Sequence, residues 1–321
     1  MFGDLFEEDE DFSFLLSSPN TNGKKSHPRD SKTPEPRGDT RLSGLRNQGG
    51  TCYLNSLLQT LFFTPEFREA LFALGPKELG SLEEKDTPDS RVRIIPLQLQ
   101  RLFAQLLLLD QQALSTTDLT ESFGWNSSEE TSQHDVQELN RILFSALESS
   151  LEGTSGHDLI KRLYHGTIVN CIQCKECGYI SERQEDFLDL TVAVKGVGSL
   201  ENSLCSMYLE EEHFDGDNLY RCGSCAKLVP ATKSAKLGKL PPFLTLSLLR
   251  FNFDFVKCER YKETSRYTFP TRLIIRPFFL SLRDEKVGTF CLNLRYGGQL
   301  ISVLIPFKFY TKGSSHSSIH T

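Results

Sequence analysis

The chain has 321 residues, of which 38% are hydrophobic, and its 36 Lys+Arg against 42 Asp+Glu give a formal net charge of −6. This length is sufficient for a sizeable core in one large domain or two ordinary ones. An acidic chain gains no general attraction to nucleic acid or to anionic lipid. No apolar run reaches the roughly 18 residues of a membrane span, so we expect neither nucleic acid nor membrane as a partner.

The first 41 residues predict a disordered acidic and polar leader. They begin with "MFGDLFEEDEDF", and residues 17–41 are rich in Pro, Ser, Lys and Arg with almost nothing apolar. Such a segment cannot bury enough apolar surface to compensate for the conformational entropy that it would lose on ordering. The acidic start lacks the basic region of a secretory signal, which predicts a location in the cytoplasm, the nucleus or both. Nine cysteines, an uneven number, then indicate metal binding or catalysis rather than a disulfide framework.

Predicted helices precede predicted strands along the chain. Between Leu42 and about Tyr164, segments such as "CYLNSLLQTLFF" and "HDVQELNRILFSALESSL" carry apolar residues every three or four positions, which is typical of helices. From His165 onward, "FLDLTVAV", "PPFLTLSLLRFNF" and "RYTFPTRLIIRPFFL" have strand-like composition and alternation. This order predicts the α+β class rather than a doubly wound sheet.

Cys52 stands in "NQGGTCYLNSLLQ", directly before a helical pattern and shortly after two glycines. A helix N-terminus presents unpaired N–H groups and the positive end of the helix dipole, which stabilise a thiolate. Cys52 is therefore a candidate nucleophile, and Asn47 a candidate donor to the oxyanion formed when a carbonyl is attacked. From the residues alone, a small buried cysteine and a turn asparagine remain the stronger interpretation.

Two Cys-x-x-Cys pairs, Cys174 with Cys177 and Cys222 with Cys225, have the spacing of a metal site. Each pair places two thiolates on one tight turn, and four sulfurs about 2.3 Å from the metal make the closed set of a structural zinc. Gly178 and Gly223 are expected to permit the two turns. The alternative is four unrelated buried cysteines. A nucleic-acid-binding zinc ribbon is not favoured, since no basic patch with interleaved aromatics surrounds the pairs.

The segment "GLRNQGGTCYLNSLLQTL" resembles the cysteine box of the ubiquitin-specific proteases. "SQHDVQELNRILF", "CKECGYISERQEDFLDLTV", "LPPFLTLSLLRFNFD" and "YTFPTRL" follow in the family's order. The resemblance covers residues 42–276 and predicts a partial catalytic domain there, followed by a divergent tail over 277–321 that packs poorly. It departs at Gly50, where most members carry Asn, and at His134, where Gln is usual.

The resemblance implies a papain-like fold with a helical thumb, zinc-binding β fingers and an incomplete palm sheet. It implies a thiol-dependent hydrolase that cleaves after the C-terminal glycine of ubiquitin, with ubiquitin and ubiquitinated proteins as partners. Cys52 would be the nucleophile and Asn47 the oxyanion donor. Asp135 and Glu138, three apart on one helix face, would bind ubiquitin's basic tail, although the spacing alone fits a solvated helix face. The structural zinc would be held by Cys174, Cys177, Cys222 and Cys225.

The family's histidine, found in a late Gly-His-Tyr segment, has no counterpart among the seven histidines of this chain. The nearest match, "RYGGQLISVLI", has Gln299 in the expected place, and His316 lies in a polar segment without a following strand. We therefore expect the chain to be truncated before the catalytic histidine. Three hypotheses remain: a deubiquitinase with His316 or another residue as base, a catalytically incomplete ubiquitin-binding form, and a zinc-ribbon interaction module.

Overall fold

The computed structural model describes residues 34–80, 93–125, 135–278, 289–292 and 304–310. The chain divides into two compact units, Met1–His157 and Asp158–Thr321, which are described separately. Most of the leader predicted over residues 1–41 lies outside the described residues, as do His134 and His316.

The first unit is helical in its described part, with one two-residue parallel strand pair. Proline begins two of the helices, where its missing N–H costs no helical hydrogen bond. The elements are β1 Gly44–Leu45, α1 Cys52–Phe62, α2 Pro65–Ala73, α3 Pro76–Leu79, α4 Ile94–Leu108, β2 Ala113–Leu114, α5 Thr117–Ser122 and α6 Val136–Leu151.

The core of the first unit lies between α1, α2, α4 and α6. Phe62 of α1 and Phe67 of α2 each form a T-shaped contact with Phe103 of α4, with ring centroids 5.5 Å and 6.3 Å from that of Phe103. Leu54 of α1 and Leu147 of α6 have no exposed surface. The apolar spacing noted in the sequence therefore corresponds to the buried helix faces, and this packing fixes the direction in which α1 begins.

The second unit begins with α7 Leu159–Tyr164 and continues as strands. One sheet has four antiparallel strands in the order β4, β3, β9, β6. Their bounds are β3 Gly166–Cys174, β4 Ile180–Phe187, β6 Glu212–Phe214 and β9 Ala231–Lys239. The hairpin of β7 Tyr220–Arg221 with β8 Leu228–Val229 lies between β6 and β9 in the sequence.

The other large sheet has five strands in the order β13, β14, β15, β10, β5. Only the β10–β5 pair is parallel among these described strands. Their bounds are β5 Leu190–Ala193, β10 Phe243–Leu249, β13 Arg272–Ile274, β14 Thr289–Leu292 and β15 Leu304–Tyr310. The remaining described elements are α8 Leu200–Tyr208, a short 3₁₀ helix Arg276–Phe278, and a hairpin of β11 Phe251–Asp254 with β12 Glu259–Lys262.

The predicted change from helices to strands is confirmed, since α7 ends at Tyr164 and β3 begins at Gly166. Within residues 277–321, where a poorly packed tail was expected, the described segments Thr289–Leu292 and Leu304–Tyr310 form strands. β14 pairs with β13 and β15, and β15 pairs with β10, so these two segments are internal strands of the five-stranded sheet. In the described part of the chain, no helix combines the length and apolar character needed to cross a bilayer.

Candidate functional site

Cys52 is the first residue of α1, which confirms its predicted position at a helix start. Gly49 has φ of 125°, a conformation that L side chains rarely adopt, and it turns the chain into the helix. Cys52 itself is half-buried. Within the described residues of the first unit, no side chain forms a hydrogen bond with Cys52 Sγ, so nothing there occupies the thiol.

Asn47 is held by Thr51, the residue that precedes Cys52. The Thr51 N–H donates to Asn47 Oδ1 at 3.0 Å, and the Thr51 hydroxyl donates to the same oxygen at 3.2 Å. Because a backbone N–H can only donate, the amide oxygen of Asn47 must face Thr51. Asn47 Nδ2 then points away from Thr51, and among the described residues it meets no acceptor. Asn47 is exposed, so this N–H₂ group is available to a ligand.

One face of α1 carries three polar residues, Thr51, Asn55 and Gln59, spaced four apart. Asn55 Nδ2 donates to the carbonyl of Arg46 at 3.0 Å, and Gln59 Nε2 donates to the carbonyl of Ser43 at 3.2 Å. These bonds fix the segment leading to Asn47 alongside the helix. The sequence reasoning missed this polar face, although its spacing was visible. The buried side of α1 consists of Tyr53, Leu54, Leu57, Leu58, Leu61 and Phe62.

Gln48 ties the same turn to α5. Its Nε2 donates to the hydroxyls of Thr116 and Thr117 at 3.0 Å and 3.1 Å. The Gln48 backbone N–H donates to Thr51 Oγ1 at 3.0 Å. The turn is therefore bonded both to the helix that follows it and to a neighbouring helix, which limits how far Asn47 and Cys52 can move apart.

Asp135 is the N-cap of α6, and its side chain accepts a hydrogen bond from the Gln137 N–H at 2.8 Å. It therefore precedes the helix, whereas the sequence placed it on a helix face with Glu138. Glu138 is exposed in the first turn. Both carboxylates stand at the positive end of the helix dipole. The predicted buried face of α6 is confirmed for Val136, Leu139, Leu143, Ala146 and Leu147.

The four paired cysteines come together in the second unit. The sulfur atoms of Cys174, Cys177, Cys222 and Cys225 all lie within 4.8 Å of one another. Cys174 Sγ is 3.8 Å from Cys225 Sγ, and Cys177 Sγ is 3.7 Å from Cys222 Sγ. Four sulfurs placed tetrahedrally at about 2.3 Å from zinc would be about 3.8 Å apart. The cluster therefore has the ligand type and spacing that a metal ion requires.

The two cysteine turns, called knuckles here, run from Cys174 to Gly178 and from Cys222 to Ala226. In each, the N–H of the second cysteine donates to the first sulfur, at 3.5 Å and 3.4 Å. Each ends at a residue with positive φ, 71° at Gly178 and 56° at Ala226. The sequence expected Gly223 to permit the second knuckle, but Ala226 has the left-handed conformation there.

Hydrogen bonds and mutual repulsion give the thiols of Cys177 and Cys225 different pKa values. The backbone N–H of Tyr179, with help from neighbouring thiols, lowers the pKa of Cys177 to about 6. The hydrogen bond with Cys177 is the largest cause that raises the pKa of Cys225 to about 12. Four adjacent thiolates repel one another, so full deprotonation of this cluster requires a cation at its centre.

Three histidines lie among the described residues, and each is close to another polar group; His213 Nδ1 is 3.4 Å from Lys175 Nζ. In the first unit, His157 Nδ1 lies 3.0 Å from the Thr154 carbonyl. In the second unit, His165 Nε2 lies 3.1 Å from Asp186 Oδ1. His316, the candidate base named from the sequence, lies outside the described residues.

Comparison with known proteins identifies the family. The family model for ubiquitin carboxyl-terminal hydrolase matches residues 43–292, which is most of the chain. The chain belongs to the ubiquitin carboxyl-terminal hydrolase family. This match confirms the resemblance seen at the cysteine box. It also extends past residue 276, where the resemblance was expected to end.

Relatives within the ubiquitin carboxyl-terminal hydrolase family are much longer than this chain. It is 74% identical over 278 residues to ubiquitin carboxyl-terminal hydrolase 40 of Mus musculus, covering 87% of the chain and 22% of that protein. The Homo sapiens protein of the same name is 73% identical with the same coverage. Ubiquitin carboxyl-terminal hydrolase 47 of Xenopus laevis is 44% identical over 256 residues, covering 78% of the chain and 18% of that protein. The chain thus spans about a fifth of these relatives.

Proposed function

We propose that this chain is a thiol-dependent deubiquitinase that hydrolyses the bond after the C-terminal glycine of ubiquitin. The observation that carries the proposal is the arrangement at the start of α1, where Cys52 follows a turn that holds Asn47 with its amide N–H₂ group free. A nucleophile and an oxyanion donor on one rigid turn are what acyl transfer from a carbonyl requires. The printed names of its relatives supply the substrate class.

The Cys52 thiolate would attack the carbonyl carbon of the ubiquitin C-terminus. The carbonyl π electrons move to oxygen, and Asn47 Nδ2 donates a hydrogen bond to the resulting oxyanion. When the carbonyl re-forms, the bond to the amine of the conjugate breaks, and that amine must receive a proton from a general acid. Water then cleaves the thioester, returning the Cys52 thiol and releasing ubiquitin as a carboxylate.

Asp135 and Glu138 are proposed to bind the basic C-terminal tail of ubiquitin. Both carboxylates lie at the first turn of α6, and Glu138 is exposed. Opposite charges steer association and fix register, although each exposed pair contributes little energy. The cap bond uses one oxygen of Asp135, Oδ1, which leaves Oδ2 for a partner.

The cysteine cluster is proposed to hold a structural zinc. Cys174, Cys177, Cys222 and Cys225 would form a closed set of four thiolates, which leaves no open position for substrate. Zinc there would stabilise the knuckles at the ends of β3 and β7.

In the finer architecture, the first unit would be the thumb, the four-stranded sheet the fingers and the five-stranded sheet the palm. We place the protein in the cytoplasm, the nucleus or both.

A second candidate is a ubiquitin-binding form without efficient hydrolysis. It is favoured by the sequence, because none of the seven histidines stands in a Gly-His-Tyr segment. It is also consistent with a Cys52 thiol that has no hydrogen-bond partner among the described residues of the first unit. The two candidates share ubiquitin recognition and differ in proton transfer to the leaving amine.

A ubiquitin derivative with an electrophile at its C-terminus tests the shared proposal. The full 321-residue chain should form one covalent adduct, and Cys52→Ala should abolish it. Cys171→Ala, which removes a half-buried thiol on β3 outside the cluster, is the matched control and should react like the unchanged chain. An adduct that persists in Cys52→Ala, or no adduct with any of the three proteins, would reject the proposed function.

A further inference from the structure

We propose that Thr51 is a positioning residue that sets the orientation of the Asn47 amide, so that Nδ2 faces the oxyanion. This inference rests on the proposed function, in which Asn47 is the oxyanion donor. It assigns to Thr51 a role through Asn47 rather than a contact with substrate. The structural basis is the set of three hydrogen bonds that join Thr51 to the two residues at the start of the turn.

The direction of the Thr51 hydroxyl proton follows from its neighbours. Gln48 N–H donates to Thr51 Oγ1 at 3.0 Å, so the oxygen acts there as an acceptor. The single hydroxyl proton is then available for Asn47 Oδ1 at 3.2 Å. Thr51 has no exposed surface, and water therefore does not compete for these bonds. The hydroxyl links the backbone of Gln48 to the side chain of Asn47.

Two donors from Thr51, its N–H and its hydroxyl, converge on one oxygen of Asn47. A rotation that exchanged Oδ1 and Nδ2 would place the Asn47 N–H₂ group against the Thr51 N–H and lose that hydrogen bond. The buried Thr51 hydroxyl would then have to accept from the amide as well as from Gln48 N–H, and its own proton would lose the Asn47 acceptor. With only the backbone donor, the terminal torsion of asparagine, which is broad and roughly two-fold, is less restricted. The Thr51 hydroxyl therefore restricts the orientation of the Asn47 amide, although the Asn47 side chain is exposed.

The position of the hydroxyl also explains why a threonine stands directly before the nucleophile. Thr51 is the N-cap of α1, yet its side chain forms no hydrogen bond to the first turn of that helix. Its oxygen is directed back along the chain, to Gln48 and Asn47. The side chain thus contributes nothing to capping the helix and is committed to the turn that carries the oxyanion donor.

Two ubiquitin probes separate this role from general support of the fold. With a C-terminal aldehyde, the Cys52 thiolate adds to the carbonyl carbon and the π electrons pass to oxygen, which needs the Asn47 donor. With a C-terminal alkyl bromide, the thiolate displaces bromide and no oxyanion forms. Loss of a whole oxyanion donor costs about 10²–10³-fold. For Thr51→Val, which loosens the donor, we expect about tenfold weaker aldehyde binding and an alkylation rate within about twofold of the unchanged chain.

Three controls make the comparison specific. Thr51→Ser keeps the hydroxyl and should bind the aldehyde as the unchanged chain does. Thr60→Val makes the same substitution within α1, where the Thr60 hydroxyl donates only to the Ser56 carbonyl of the same helix, and should affect neither probe selectively. In an Asn47→Ala background, Thr51→Val should cause no further loss. The NMR signals of the Asn47 side-chain amide should shift in Thr51→Val and not in Thr51→Ser. This measurement reports the orientation of the Asn47 amide in the absence of ubiquitin.

The outcomes distinguish the inference from the proposed function. The inference would be overturned if Thr51→Val weakened the reaction with both probes equally. It would also be overturned if Thr51→Val weakened aldehyde binding as much in the Asn47→Ala background as in the unchanged chain. Either result would show that Thr51 has a structural role. If the unchanged chain reacted with neither probe, the proposed function would fail, and the inference with it. A selective loss of aldehyde binding, together with the NMR shift and rescue by serine, would establish Thr51 as the positioning residue.

Discussion

Gly178 and Ala226 hold equivalent positions in the two knuckles: each directly follows the second cysteine of a pair, and each has a left-handed backbone. The φ angles are 71° and 56°. In both knuckles, the N–H of this residue donates to the carbonyl of the first cysteine, at 3.1 Å for Gly178 and 2.9 Å for Ala226. Glycine adopts this conformation easily, whereas alanine does so at a cost, so the two knuckles share a backbone conformation in spite of different residues.

We predict that substitutions at these two positions differ in effect, with a loss of stability at Gly178 and none at Ala226. Gly178→Ala should lower the free energy of unfolding of the second unit by about 1–2 kcal/mol, the cost of a left-handed L-residue. A Cβ at Gly178 meets no atom within 4 Å, so backbone strain is the sole expected cause. Ala226→Gly should be neutral or slightly stabilising, since relief of strain opposes the entropy of a more flexible unfolded chain. Denaturant unfolding of each variant measures both effects.

Gly223→Ala is the control for that pair. A Cβ at Gly223 also meets no atom within 4 Å, but its φ lies outside the left-handed region. We expect no loss of stability. A loss at Gly223 equal to that at Gly178 would contradict the assignment of strain to the position after the second cysteine.

Loss of one cysteine of the cluster should abolish metal binding. Cys225→Ser removes a ligand of a closed four-thiolate site, so purified protein should fall from about one zinc per chain to near zero by elemental analysis. Metal binding to a site absent from the unfolded chain adds to folding, by about 10–16 kcal/mol in zinc-finger peptides at neutral pH. Limited proteolysis should then cut between Cys174 and Val229. Cys171→Ser should retain the metal, and an unchanged zinc content in Cys225→Ser would refute the site.

Asp135 combines a capping role with a proposed charge role, and two substitutions separate them. Asp135→Ala should lower the free energy of unfolding by about 1 kcal/mol through loss of the cap. Asp135→Asn keeps a capping oxygen and should leave stability unchanged, while removal of its charge weakens ubiquitin binding by about two- to fivefold. Calorimetry with a Cys52→Ala chain measures the affinity. Glu148→Gln, a charge change farther along α6, should have no effect, and equal weakening there would argue against a specific tail contact.

The second candidate, a ubiquitin-binding form without efficient hydrolysis, predicts that labelling and hydrolysis by this chain separate. Direct alkylation of Cys52 needs no histidine, whereas hydrolysis needs a proton for the leaving amine. General acid–base catalysis typically contributes about 10²–10⁴-fold, so turnover of a fluorogenic ubiquitin amide should be close to the detection limit. Robust turnover that is lost in both Cys52→Ala and His316→Ala would contradict this expectation and make His316 the base.

Local sequence patterns predicted much of what the structure shows. The position of Cys52 at a helix start, the buried face of α6, the change to strands after Tyr164 and the pairing of four cysteines all follow from spacing along a few turns or one hairpin. Such patterns are readable because the periods of helix and strand are fixed by backbone geometry.

The sequence was less informative where a residue's conformation depends on distant partners. Asp135 has a cap conformation rather than a helical one because the helix begins one residue later. Positive φ occurs at Ala226, whose N–H donates back to the Cys222 carbonyl and closes the knuckle, rather than at Gly223. The segment at 304–310 becomes an internal strand because β10, far earlier in the chain, pairs with one of its edges, and the segment at 289–292 pairs between it and β13.

By itself, the sequence determined the chemistry that is available: a thiol at a helix N-terminus, an amide five residues earlier, and two pairs of thiols on tight turns. The tertiary structure decided which way these groups face. The Thr51 donors turn Asn47 Oδ1 inward and leave Nδ2 free, and the approach of two knuckles brings four sulfurs within 4.8 Å. Spacing along a chain specifies which residues share a turn, whereas the orientation of an amide or a thiol depends on hydrogen-bond partners that only the folded chain brings into contact.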